Sequence, residues 1–194
     1  MLKNRLQYLI SRTRRNHGLE HATIHVLSEQ HKQFSAQGHS DFRGFHLNIY
    51  GDIPEADVAA AVEEAHSRMT NGEHHLAVHP NCGTVLLTTA TLGALASQSA
   101  FGLEQRRQRR AHMDLSVFFS GLPSAILAGV LALIISRPVG MAIQQRLTTN
   151  GDLQNLEVVR VRKIRPSVIT RLFQLLLATG KELDVNAYHI ETRG

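Results

Sequence analysis

The chain has 194 residues, enough for one ordinary domain with its own core. Lys and Arg number 21 against 16 Asp and Glu, a net charge of +5. Only 5% of the residues are aromatic and no recognition motif accompanies the charge, which argues against nucleic acid and for a bilayer with anionic head groups as the partner.

Residues 1–16 contain Lys3, Arg5, Arg12, Arg14 and Arg15 separated by short apolar runs, so no signal peptide is expected. Arg12, Arg14 and Arg15 are expected on or near the membrane surface. Residues 5–31 predict a helix. Its first notable segment is His17-Gly18-Leu19-Glu20-His21, an H-x-x-E-H pattern. Two histidines at i and i+4 sit one turn apart on one helical face and can grip a single metal ion. Glu20 projects beside them, where it could act as general base on a water that the metal activates. His25 extends the stripe, while Leu19, Ala22 and Val26 fall on a face suited to packing.

Residues 38–41 predict a turn. Residues 44–50 alternate Phe45, Leu47 and Ile49 with His46, Asn48 and Tyr50, a half-buried strand with His46 on its polar face. Pro54 opens a helix with the apolar stripe Val58, Ala61, Val62, Ala65 and Met69, and Asn71-Gly72 ends it. Residues 75–79 predict a second strand, which delivers His79-Pro80-Asn81-Cys82-Gly83-Thr84. A histidine and a cysteine three positions apart, in a turn built by Pro80 and Gly83, have the local geometry of a metal knuckle. With 12 histidines in the chain, H-x-x-E-H alone is a modest signal; its pairing with H-x-x-C is what points to a divalent metal, zinc first. The expected ligands are His17, His21 and Cys82, with His79 either a fourth ligand or a group that stabilises an oxyanion. The lone cysteine also excludes an intramolecular disulfide and leaves the redox compartment open.

Two stretches, 83–103 and 115–136, carry no charged residue. Each is about long enough to cross a bilayer as a helix. They predict a transmembrane hairpin of 84–103 and 115–136, with Thr, Ser and Gly in the first segment suited to close helix packing and Pro123 a kink in the second. Residues 137–152 predict a linker. Residues 156–164 alternate imperfectly, as a strand. Ser167 is placed to cap a helix running to Thr179 that carries Leu172, Phe173, Leu175, Leu176 and Leu177 and stops at Gly180; 187–192 make a last strand.

The predicted architecture is α+β. A small sheet-and-helix body at the membrane surface is interrupted by a two-helix transmembrane hairpin, with parts 1–83, 84–136 and 137–194. The loop arginines Arg106, Arg107, Arg109 and Arg110 favour a cytoplasmic loop. Export of an 80-residue polar N-terminal part without a signal favours a cytoplasmic body, and the two arguments oppose each other. The body is assigned to the cytoplasm.

The segments H-G-L-E-H-A-T-I and H-P-N-C-G-T resemble an uncharacterised family of bacterial membrane proteins and are similar to the YqhQ-like membrane proteins. Those carry H-G-x-E-H-x-T-I and H-P-x-C-G-T beside transmembrane helices and are described only as predicted metal-dependent enzymes. The resemblance covers His17, Gly18, Glu20, His21, Thr23, Ile24, His79, Pro80, Cys82, Gly83 and Thr84, and implies a metal site and a membrane location. H-x-x-E-H is also the inverzincin peptidase signature. Glu63, Glu64 and Glu73 are acidic candidates for a further ligand, but none lies in a second motif, so only the local chemistry transfers.

Two functions follow. One is a membrane-embedded zinc-dependent hydrolase or peptidase, with Glu20 as base and a membrane protein or lipid-linked molecule as substrate. The other is a non-catalytic scaffold or assembly protein in which four protein ligands close the metal site. Metal transport is disfavoured, because neither apolar segment carries an ionisable residue.

Overall fold

The computed structural model describes residues 2–167, 170 and 185–194. The chain divides into two compact units, Met1–His79 with Gln145–Gly194, and Pro80–Gln144. The second is therefore an insertion in the first.

The first unit is an α+β body. Helix α1 (Leu2–Gln30) is followed by β1 (Ser35–Asp41), β2 (Gly44–Tyr50), α2 (Glu55–Thr70) and a 3-10 turn (His74–Ala77). After the insertion come β3 (Glu157–Ile164) and β4 (Val185–Arg193). The sheet is antiparallel throughout, in the order β1-β2-β4-β3. Its core packs Leu19, Ala22, Val26 and Leu27 of α1 and Val58, Ala61, Val62, Ala65 and Met69 of α2 against Phe45, Leu47, Ile49, Tyr188 and Ile190 of the central strands. The apolar stripes expected on α1, β2 and α2 are the ones buried.

Three local expectations are corrected. Residues 38–41 belong to β1, and the turn lies at Phe42-Arg43. Asp41 Oδ1 accepts from the Arg43 and Gly44 N–H groups at 2.6 and 3.2 Å, and Gly44 adopts φ +153°, so the carboxylate and the glycine place the reversal there. Residues 75–79 are not a strand. Leu76 and Ala77 are buried in succession, which alternation cannot provide, and the carbonyls of Ala77 and Val78 receive histidine rings rather than a neighbouring strand. Residues 137–152 are not a linker throughout, because helix α4 (Leu115–Ile143) continues past Pro138 into a π turn, Gln144–Thr148. Arg12, Arg14 and Arg15 hydrogen-bond inside the body, to Thr192 O, to Arg146 O and Thr149 O, and to Gln154 Oε1, and Arg15 is buried.

The uneven alternation of 156–164 has a physical cause: a register shift between Val158 and Arg160 turns Val159 outward while Val158 and Val161 pack on the core. Ser167 Oγ accepts from Thr170 N–H at 3.1 Å, a capping bond. The rest of the helix expected to run to Thr179, including Leu172, Phe173, Leu175, Leu176, Leu177 and the stop at Gly180, lies outside the described residues.

The second unit pairs α3 (Gly83–Arg107) with α4. Their contacts run antiparallel: Phe101 stacks on Phe118, Ser97 Oγ donates to Ala125 O at 3.2 Å, and Thr89 and Ser136 hydroxyls bond at 2.9 Å. Small residues of both helices make the seam, Thr89 and Ser97 from α3 as expected, but the glycines in it belong to α4. A side chain at Gly121 would meet Phe101, at Gly129 would meet Ser97, and at Gly140 would meet the Val85 backbone, whereas Gly93 and Gly102 of α3 face open space. The packing of Gly140 on Val85 is what holds α4 helical beyond Pro138.

Among the described residues, only the helix running Leu115–Thr148, α4 with its π turn, is long and apolar enough to cross a membrane. The two-span expectation is corrected to this extent. The Thr, Ser, Gln and Gly of α3 keep its hydropathy too low, although it is a helix of the predicted extent. Outward side chains of α4, among them Phe119, Leu127, Ile134 and Ile135, are more than half exposed.

Leu47 lies at the centre of the body's core, so Leu47→Ala should cost about 2–5 kcal/mol. Urea unfolding in detergent, followed by circular dichroism, checks this.

Candidate functional site

Both helix histidines of the H-x-x-E-H segment are oriented by backbone carbonyls. His17 Nδ1 lies 3.0 Å from Thr148 O, and His21 Nδ1 lies 2.9 Å from Ala77 O. A carbonyl only accepts, so Nδ1 carries the proton in each ring and the lone pair is on Nε2. This is the arrangement by which proteins fix a metal-binding imidazole. The rings sit edge to face with centroids 4.4 Å apart.

Gly18, between them, has a steric role. The chain returning from the insertion crosses α1 there: Asn150 N–H donates to Arg14 O at 2.9 Å, and a Cβ on Gly18 would run into Asn150 O. Only glycine lets residues 148–150 come close enough to hold His17.

His79 joins the same cluster. Its ring centroid lies 6.0 Å from that of His21 and 5.0 Å from that of His25. Burial, followed by the nearby His25 and His21, lowers its pKa to about 4. The imidazole is neutral at physiological pH, the state a ligand needs. His25 uses Nε2 for Val78 O at 2.9 Å, which leaves the lone pair on Nδ1.

Glu20 is buried on α1 facing β1. Ser40 Oγ donates to its Oε2 at 2.6 Å. Gly38 makes room for it, since a Cβ at that position would strike the Glu20 carboxyl. Thr23 is also buried, with its hydroxyl donating to Leu19 O at 2.9 Å.

Cys82 follows His79 by three residues, so the chain alone keeps their Cα atoms within about 11 Å. It is the N-cap of α3 and is buried, with Sγ accepting from Thr84 N–H at 3.4 Å. Imidazoles such as those of His17 and His21, and a thiol such as that of Cys82, are donors of the type that hold a transition metal.

The body thus brings His17, His21, His25 and His79 together. Sequence reasoning did not find Ser40 and Gly38, which support Glu20, or the carbonyls of Ala77 and Thr148, which orient the rings. Carbonyls have no sequence signal. The glycine inside the motif was the one visible hint of a close backbone approach. Of the acidic alternatives, Glu73 pairs with Arg68 at 2.9 Å and Glu64 lies 3.6 Å from the same guanidinium.

An α+β body with an apolar helical insertion and a histidine cluster on its long helix defines the class of protein. The chain belongs to a family known as a domain of unknown function, DUF6391, whose pattern matches residues 12–161. Both histidine motifs lie inside that range. The chain is also similar to an uncharacterised protein of Picosynechococcus sp., with 32% identity over 173 residues, covering 82% of this chain and 78% of that protein. No solved structure matches.

Gly38→Ala should destabilise the body by about 1–3 kcal/mol through overpacking. In a Glu20→Ala background part of that loss should disappear, because the obstructing carboxyl is gone while the Cβ still crowds His46 O. A double-mutant cycle on thermal unfolding measures the coupling; additive effects would mean that Gly38 does not serve Glu20.

Proposed function

We propose that this protein is a membrane-embedded, metal-dependent hydrolase. His17, His21 and Cys82 hold one divalent metal, zinc by the nature of the donors. The observation that carries the reading is the pair of Nδ1–carbonyl bonds on His17 and His21, which directs both Nε2 lone pairs outward from fixed rings. The metal, when bound, supplies Lewis acidity that lowers the pKa of water. Glu20 then accepts the proton, and the Ser40 hydroxyl keeps its carboxylate oriented. The resemblance of both motifs to the YqhQ-like membrane proteins supports the metal and membrane parts of this reading. A membrane protein or lipid-linked molecule is the substrate class that a membrane-anchored site would serve.

A second reading rests on His79. Its neutral ring stands beside His21, and as a fourth ligand it would close the coordination shell. The protein would then be a scaffold with a structural metal.

The membrane part of the proposal combines composition with topology. The outward apolar side chains of α4 call for a lipid environment. β2 and β4 pair residue for residue, from Gly44↔Glu191 to Tyr50↔Val185, so the chain leaves and rejoins one body around the insertion. A crossing by α4 would call for a return, and among the described residues α3 is the helix available to make it. The finer reading is a two-span hairpin, with α3 shielded by its contacts with α4, and a cytoplasmic body.

Glu20→Gln keeps shape and removes the proton acceptor. It should retain bound metal, measured by elemental analysis of untagged protein, yet fail to complement a deletion strain, since loss of a general base lowers rates about 10²–10⁴-fold. Full complementation would favour the scaffold. His21→Ala and Cys82→Ala should each lose most of the metal.

On a Cys82→Ser background, Ile10→Cys and Glu191→Cys should be labelled by an impermeant thiol reagent from the same side of the membrane. Labelling from opposite sides would rule out the hairpin.

A further inference from the structure

A second histidine group lies on the outer face of the sheet. His39 of β1 pairs with His46 of β2, and His46 pairs with His189 of β4. The core side of β2 is Phe45, Leu47 and Ile49, so His46 and its two cross-strand neighbours point away from the core. The rings stack in a row, with centroids 4.5 Å apart for His39–His46 and 4.4 Å for His46–His189. None of the three belongs to the helix cluster.

We propose that His39, His46 and His189 form a second site, for a divalent transition metal of the copper–zinc class. Imidazole nitrogens bind such ions at about 2.0–2.1 Å. Rings 4.4–4.5 Å apart on adjacent strands therefore need only side-chain rotation to turn two nitrogens onto one ion. His46, in the middle, is shared by either pairing.

The surrounding charge selects the better pair. On the His189 side the same face carries Arg162, whose Nη2 stands 3.5 Å from His189 Nδ1, and Arg160, which pairs with Glu191 in register. On the His39 side stands Asp41, whose negative charge is felt at His46. His39 with His46 is accordingly the primary pair, and His189 the auxiliary ligand. His39 stands on the edge strand and is exposed, open to an incoming ion.

This site is independent of the proposed hydrolase centre, and the test keeps the two apart. Untagged full-length protein in detergent is titrated with copper(II), and bound copper is followed by electron paramagnetic resonance. Four proteins are compared: wild type, His46→Asn, His21→Ala/Cys82→Ala, and the combination of all three changes. His46→Asn should lower the copper stoichiometry by one in both backgrounds and remove a signal with coupling to two or three nitrogens. His39→Asn, at an exposed position, should weaken the same signal at least tenfold, and His75→Asn should leave it unchanged. Unfolding of His46→Asn, detected by circular dichroism, passes the decision to His39→Asn. Unchanged stoichiometry and nitrogen coupling in the folded row variants would overturn the proposal, whatever happens at His21 and Cys82.

Discussion

The close crossing of residues 148–150 over α1 at Gly18 is the contact on which the site depends. A helix offers its side chains to a groove without fixing their rotation. Here the returning chain supplies Thr148 O to His17 and an N–H to Arg14 O, and on the other flank the turn at 74–77 supplies Ala77 O to His21. Two segments far apart in sequence thereby hold adjacent imidazoles in one tautomer. Polar groups buried beside α1 are costly unless bonded, so the carbonyls and the rings satisfy each other.

The Glu20 side of the same helix turn is governed by β1. An edge strand close to a buried carboxyl would clash unless it lacked a side chain at the point of contact, and Gly38 meets that condition. Ser40, two residues on and on the same face, supplies the hydroxyl. Asn16 completes the attachment: its amide donates to Asp41 O at 2.7 Å and its oxygen accepts from Thr192 Oγ1 at 2.7 Å. One stretch of α1, from Asn16 to Thr23, therefore carries a buried polar anchor, two oriented imidazoles and a supported carboxylate, while Leu19 and Ala22 remain in the core. The periodicity of 3.6 residues separates these roles onto different faces.

The insertion follows different rules. Helix α4 has apolar sides all round, so the hydrophobic effect does not choose its contact face; close approach does. Gly121, Ala125, Gly129, Ser136 and Gly140 form that face on α4, and the larger side chains of α3 fill it. This explains why the glycines of α3 are a poor guide to the seam, although Thr89 and Ser97 lie in it. It also explains how α3 can be a long helix beside α4 without itself being apolar enough to cross a membrane by composition.

The amino-acid pattern by itself determined α1, α2 and β2 by the period of their burial, α3 and α4 by their charge-free runs, and the strands β3 and β4, together with the α+β class and the histidines of α1 as neighbours on one face. It also marked His79 and Cys82 as metal-type residues. Tertiary structure decided the rest. The place of the β1–β2 turn came from an Asp41 carboxylate bonding ahead to the backbone, the 3-10 turn at 74–77 from carbonyls drawn to histidine rings, and the length of α4 from helix packing beyond Pro138. The supports of Glu20 and the tautomers of His17 and His21 depend on backbone groups brought in from positions 18 to 131 residues away. Local sequence encodes period and propensity; it cannot encode which distant carbonyl will meet a ring, because that partner is the same chemical group at every residue.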